Sequence, residues 1–401
     1  MKTLKFATVA LTVGLASAVA GAVNAQEAPF RIGVSNDQSG PYADQGGLGS
    51  VLAAKMAAED FGGKVLGRKI EILAADNMNK PDIASTVARK WFDVDGVSAI
   101  TDGGSSASGL AAQSVAAEKK KITLITAGTA PDFSGKRCSP YGTQWATSSY
   151  ALANTVVKDL VQAGNKKWYF LTTDFVFGHA LENETTKAIK GAGGTVLGSA
   201  KHPINSSDFA SYLLQAQSAK PDVVAVAAGG ADMIMAVKQA KEFGLKSKLV
   251  ALYVSQPEVD AMGLESAQGL QFGTPFYWNL NDVTRTWARR FQDRHKKMPS
   301  MIHANTYAAV THYLKAVQAA GKDDAELVSA KMREMPIGKN ALIQNAFIMP
   351  NGRVVMDMHV AQVKSPKDSK FRGDSFDIVA TLPGKQVFEP IEVTDCPLVK
   401  K

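Results

Sequence analysis

Residues 97–106 read VSAITDGGSS: an apolar run, then Asp102-Gly103-Gly104, then two serines that open a helical pattern at Ser106. The run is short, bounded by glycine and suits a buried strand. Residues 223–230 echo it as VVAVAAGG. In both, a small-residue strand runs into Gly-Gly and then into a helix. Strand followed by helix is the unit of a parallel sheet covered on its faces. Ligands bind such sheets outside the carboxyl ends of the strands, where these glycine loops stand.

Outward from these two units, the same rhythm fills the chain. Strands are expected at Phe30–Ser35, Lys69–Ala75, Val97–Thr101 and Ile122–Thr126, with helices at Gly47–Phe61, Pro81–Trp91 and Ser106–Glu118 between them. It restarts with a helix over Ser148–Ala163. Strands follow at Lys167–Thr172, Thr195–Lys201, Asp222–Ala228 and Lys248–Tyr253, with helices at Gly178–Lys190, Ser207–Ser218 and Ala231–Phe243. After Gly269–Thr274 come two helices, near Asp282–His295 and His303–Ala320, and then β character at Arg353–Gln362 and Ser375–Thr381. Two series of this kind predict an α/β protein with two similar lobes, each a parallel sheet covered by helices.

The length of 401 residues suits about two domains. At 45% hydrophobic and 20% charged residues the composition is globular and excludes disorder and low complexity. Residues 1–25 read as a secretory signal peptide. Lys2 and Lys5 precede an uncharged apolar stretch that ends in the small residues Val23-Asn24-Ala25. No cysteine follows to carry a lipid anchor, and no later segment is apolar enough to span a membrane. The expected product is exported and periplasmic. The formal charge of +8 is spread over scattered lysines, with only Lys119-Lys120-Lys121 in a row. That is a solvated basic surface, with no nucleic-acid partner expected, and it favours anionic ligands by long-range attraction. Cys138 and Cys396 lie in loop-like contexts, Arg137-Cys138-Ser139-Pro140 and Asp395-Cys396-Pro397. In an oxidising compartment they are expected to pair and tie the tail to the body, the alternative being two free thiols. Chain-entropy arguments value such a long closure at roughly 4–5 kcal/mol before strain.

The Gly103–Ser106 loop offers hydroxyls and backbone N–H groups at a helix start, which suits a carboxylate or phosphate. A tight turn with a serine N-cap explains the same residues. Thr126-Ala127-Gly128-Thr129 repeats the chemistry one strand over and favours the carboxylate. Phe177 precedes the helix after the first strand of the second series and serves as a ligand wall or a core residue. Phe276-Tyr277-Trp278 lines a cleft or packs a hinge. Enzyme signatures are absent. The nearest approach to a phosphate-binding loop, Gly62 to Gly67, continues Arg68-Lys69 and lacks the magnesium-binding hydroxyl. No G-x-S-x-G elbow frames Ser105 or Ser106. The six histidines form no metal-ligand spacing, so no metal or cofactor is expected.

Ser39-Gly40-Pro41-Tyr42-Ala43, the Gly103–Ser106 loop, the Thr126–Thr129 loop, Phe177-Gly178 and the Val224–Gly230 strand occur in an order that resembles the Leu/Ile/Val-binding type of periplasmic solute-binding protein. The resemblance covers nearly the whole chain after residue 25. It implies two lobes joined by three hinge crossovers, no catalysis, and a ligand trapped between the lobes for an ABC permease in the inner membrane. The lobes would be residues 26–147 with 277–349, and 148–276 with 350–385, leaving 386–401 as a tail. It implies a ligand carboxylate held by Gly104, Ser105, Ser106, Thr126, Gly128 and Thr129. Tyr42 and Gln45 would wall the ligand side chain, and Phe177 would close from the second lobe. Gly230, Asp232, Tyr253 and Ser255 complete the expected second-lobe face.

One departure bears on the ligand. Amino-acid binders of this type hold the ligand ammonium with an acid in the second lobe. The matching stretch, Leu252-Tyr253-Val254-Ser255-Gln256-Pro257, has no carboxylate until Glu258. An unpaired buried ammonium is costly. Asp232 is a candidate substitute. The expectation is a monomeric binding protein for a small carboxylate, an aromatic acid ahead of a branched-chain amino acid. Alternatives are a sensory receptor subunit with the same fold, or an exported α/β enzyme.

Overall fold

The computed structural model describes residues 1, 3–4, 28–338 and 342–400. The signal-peptide reading therefore falls almost wholly outside the described residues. Among the described residues the strands in chain order are β1 Phe30–Asn36, β2 Lys64–Val65, β3 Arg68–Asp76, β4 Val97–Asp102, β5 Ile122–Ile125, β6 Gly142–Gln144, β7 Lys167–Thr173, β8 Thr195–His202, β9 Val223–Ala227, β10 Lys248–Ala251, β11 Gln271–Thr274, β12 Phe347–Ile348, β13 Val354–Val355, β14 Met358–Val363 and β15 Phe376–Leu382. The helices are α1 Gly47–Asp60, α2 Pro81–Asp93, α3 Ser106–Glu118, α4 Ser149–Gln162, α5 Val176–Gly191, α6 Ala210–Ser218, α7 Gly230–Glu242, α8 Gln256–Met262, α9 Leu264–Ala267, α10 Asp282–His295, α11 Met301–Ala320, α12 Ala325–Glu334 and α13 Gly384–Val387.

The strands form two lobes. One sheet has the order β2-β3-β1-β4-β5-β6, the other β15-β14-β11-β10-β9-β7-β8. Both contain the same run, second strand beside first, then third, then fourth, with parallel pairing throughout that run. The echoed stretches are the third strand of each run, β4 and β9. Both sit beside the first strand, where the chain's winding reverses and a crevice opens. β4 and β9 are buried at every residue, as strands covered on both faces must be.

Among the described residues the chain passes between the two sheets at residues 145–148, 275–281 and 356–357. The β character expected over Arg353–Gln362 is broken in two, because Met356-Asp357 leaves the short β12–β13 hairpin before β14 begins. β14 and β15 pair antiparallel at the edge of an otherwise parallel sheet. β2, β6 and α12 were not expected from the sequence. The first two are only two and three residues long, too short to show a period. Phe276-Tyr277-Trp278 is a buried packing cluster on the second crossover: Tyr277 lies against Phe376, and the Trp278 indole donates to the Gly373 carbonyl at 2.9 Å. Cys138 and Cys396 are bonded, with Cα atoms 5.7 Å apart. No helix among the described residues is long and apolar enough to cross a membrane.

Candidate functional site

The loops that follow β1, β4 and β5 meet those that follow β7, β9 and β10. The first of them is shaped by Asp37. Its buried carboxylate accepts from Gly40 N (2.8 Å), Tyr42 N (2.9 Å) and Asn79 Nδ2 (2.6 Å). Those bonds aim Tyr42 across the cleft. Gln45 is fixed differently. Ser300 Oγ donates to its carbonyl, and His303 Nε2 lies 2.9 Å from the next carbonyl, Gly46 O. His303 Nδ1 accepts from Ser300 N at 3.0 Å, so the ring is neutral, and burial pushes its pKa down to about 3.

Asp102 ends β4 in the left-handed region, at φ 78°. Its buried carboxylate accepts from Gly104 N (3.0 Å) and Asn36 Nδ2 (2.9 Å), which locks the glycine turn against β1. Gly104 has φ 74°, a conformation that suits glycine. Ser105 then caps α3 by accepting from Ser108 N, and Ser106 Oγ accepts from Ala130 N at 3.2 Å. Both serines thus have structural partners and also line the cavity. Thr126 pairs with Thr306 at 2.8 Å, Gly128 packs against Phe133, and the buried Thr129 hydroxyl has no partner.

From the second lobe, Phe177 enters on the first turn of α5. Its ring meets Tyr42 edge-on at 6.2 Å between centroids and Tyr253 at 5.2 Å. These three rings and Gln45, Gly104, Ser105 and Ser106 surround the centre of the cleft, where they leave about 10 Å³. That is near the space of one water, so the lobes stand closed upon each other. Ala127 and Ile302 also line it. Gly230 shows how close the closure is: a Cβ there would lie 2.2 Å from the Pro41 carbonyl oxygen. Its φ of 59° adds a second demand for glycine.

Glu258 is fully buried, and burial raises its pKa. Its Oε1 accepts from Gln45 Nε2 of the other lobe and from Gly230 N at 3.2 Å. Its Oε2 accepts from Ser255 N (2.9 Å) and Ser255 Oγ (2.7 Å). A carboxylate offers about four acceptor sites, and four donors fill them. Asp232 stands on the first turn of α7, behind the cavity-lining residues. Its Oδ2 accepts from Asn205 N (3.3 Å) and Thr173 Oγ1 (3.5 Å), and the Ser206 backbone N–H also favours its charged form. Burial raises its pKa to about 6.

Of the expected residues, Tyr42, Gln45, Gly104, Ser105, Ser106, Phe177 and Tyr253 line the cavity, whereas Thr126, Gly128, Thr129, Gly230, Asp232 and Ser255 do not. Sequence reading missed Ala127 and Ile302 as wall and Asp37, Asp102 and His303 as the groups that hold the loops. Glu258 carried a legible signal: Ser255-x-x-Glu258 has the spacing of a capping box, and that box is formed.

Residues 29–370 match the family model described as periplasmic binding protein. A periplasmic binding protein from Burkholderia mallei is 43% identical, with a TM-score of 0.90 over 93% of this chain and 99% of that one. A branched chain amino acid ABC transporter periplasmic ligand-binding protein from Burkholderia xenovorans LB400 is 36% identical, with a TM-score of 0.84 over 92% and 99%. Leu/Ile/Val-binding protein homolog 4 of Brucella abortus (strain 2308) is 25% identical over 95% of this chain and 96% of its own length.

Proposed function

Since the chain belongs to the periplasmic binding protein family, whose members bind ligands for ABC transporters and do not transform them, we propose that it captures a small organic acid in the periplasm and presents it to an inner-membrane permease. It works as a monomer released from its signal peptide. The ligand carboxylate sits at the Gly104–Ser106 turn and the Thr126–Thr129 loop. Its body lies among Tyr42, Phe177 and Tyr253 with the lobes closed less far than here, since about 10 Å³ holds no more than a water. The open form loads on the first lobe (residues 26–147 and 277–349), and the second (148–276 and 350–385) swings shut. Ligand stabilises closure because it touches both lobes.

An aromatic acid is favoured, with a branched-chain amino acid next. The observation that carries this is the saturation of Glu258. An ammonium needs a carboxylate oxygen open to the cavity, and both Glu258 oxygens are filled from within the protein. Asp232 does not line the cavity. A ring edge against Tyr42, Phe177 and Tyr253 gains aromatic contacts of about 0.5–1.5 kcal/mol each.

Thermal melting of ligand-stripped protein tests the choice. Benzoate, 4-hydroxycinnamate and phenylpyruvate are compared with leucine, isoleucine and valine. A ligand at 100 times its Kd adds about 2.7 kcal/mol of stability. We expect a rise with one or more aromatic acids. A rise with the branched-chain amino acids alone overturns the preference and makes Asp232 the ammonium partner to mutate.

A further inference from the structure

At the mouth of the cleft lies a second cavity of about 560 Å³, far larger than the central one and within the range of small-molecule sites, about 300–1,000 Å³. Both lobes wall it. Asp44, Lys296, Lys297 and Met298 come from the first; α8 and the loop between β14 and β15 come from the second. Asp44 precedes Gln45 of the central cleft, and Pro257 precedes Glu258, to which Gln45 donates.

The β14–β15 loop spans residues 364–375, where two residues would close a hairpin. Loops of such length are commonly functional. This one is built and held. Lys364 Nζ bonds Asp374 Oδ1 at 2.7 Å, with both side chains largely buried. Lys370 N donates to Asp374 Oδ2 at 2.9 Å, and Ser375 Oγ donates to Asp260 Oδ1 at 2.8 Å. The loop presents Lys370, Phe371 and Arg372 to the cavity, all exposed.

The lining carries four cations, Lys296, Lys297, Lys370 and Arg372, against two carboxylates, Asp44 and Asp260. Lys297 is spoken for by Asp44 at 2.6 Å. The Lys370 ammonium has no ion pair within 4.0 Å among the described residues. Met298, Leu264 and the half-exposed Phe371 ring give the cavity an apolar side. The excess charge asks for an anion, and the apolar side asks for a body larger than an inorganic ion.

We propose that this mouth cavity is a second binding station for an organic anion with an apolar body. Its acid group lies at Lys370 and Arg372 and its body lies on Leu264, Met298 and Phe371. An occupant touches both lobes and therefore favours the closed form. The station goes beyond the central-cleft reading and does not depend on the ligand proposed there.

Isothermal titration of the protein with 2-naphthoate tests it, alongside the Lys370→Ala/Arg372→Ala double variant and a Phe177→Ala variant of the central cleft. The expected result is a site that weakens at least 10-fold in the double variant and several-fold between 20 and 500 mM salt. It persists in Phe177→Ala. Both loop side chains are exposed, so the double variant should melt where the parent does, which separates lost binding from lost folding. No 2-naphthoate binding, binding unchanged in the double variant, or binding lost only in Phe177→Ala overturns the proposal. The last outcome would leave the central site standing alone.

Discussion

Asp232 and His303 are buried titratable groups with opposite consequences. The Asp232 pKa rises from its usual 3.8 to about 6, so between those values the folded form holds more protons than the unfolded. Its contribution falls as pH rises through that window, and at neutral pH it is a cost. Asp232→Asn should therefore stabilise the protein at pH 7–8 by up to about 2–3 kcal/mol, seen as a higher melting temperature, since one pKa unit is about 1.4 kcal/mol. It should change little below pH 4. A lower melting point at pH 8 would show that the bonds from Asn205 and Thr173 matter more than the charge. His303 runs the other way: its pKa falls from 6.5 to about 3, so its stability contribution is complete above pH 6.5 and drains as pH drops toward 3. Phe177 and the serine pair were legible in the sequence because each follows a strand end closely, whereas Tyr42 and Gln45 came from the family resemblance. Asp37, Asp102 and His303 were not. They work by bonding to loop backbone, and neither periodicity nor a short motif encodes that role.

At the scale of elements, the long strand–helix units of both sheets were readable because each strand is a continuous apolar run and each helix carries its own spacing. The short β2, β6 and β12 depend on neighbours already in place, and no local pattern announces them. The antiparallel β14–β15 edge likewise follows from the crossover that delivers it. The packing of α1 on α11 includes one close approach. A Cβ on Gly49 would lie 2.2 Å from His303 Nε2, and that ring is held by Ser300 N and Gly46 O. The ring cannot yield without giving up those bonds. Gly49→Ala should destabilise the protein by about 1–3 kcal/mol through overpacking. It should also weaken ligand binding, because the Gln45 loop moves with His303. Chemical denaturation and a ligand titration measure the two effects. A neutral Gly49→Ala would mean that the helices slide apart freely.

Over the whole molecule, the tail is a fourth connection between the lobes. It leaves β15 in the second lobe, and Cys396 is bonded to Cys138 in the first. Thr394 Oγ1 donates to Ser134 O at 3.3 Å beside that bond. The pairing was readable from two cysteines in an exported chain. That it straps the lobes together was not, because the path of the tail depends on where β15 ends. Replacing both cysteines by serine should cost about 2–5 kcal/mol of stability. It should also let the unliganded protein open wider, seen as a larger radius of gyration. An unchanged radius would limit the disulfide to stability alone.

The central claim is that a ligand is held by closure of the two lobes, with Gly230 passing against Pro41. Small-angle X-ray scattering tests it directly, on parent and Gly230→Ala protein, with and without the acid that gives the largest thermal shift. The account predicts that ligand contracts the parent. Gly230→Ala should fold, at a cost of about 1–2 kcal/mol for its left-handed backbone, yet fail to contract, because the added Cβ would lie 2.2 Å from the Pro41 oxygen. Tight binding without contraction, or equal contraction in Gly230→Ala, would contradict it.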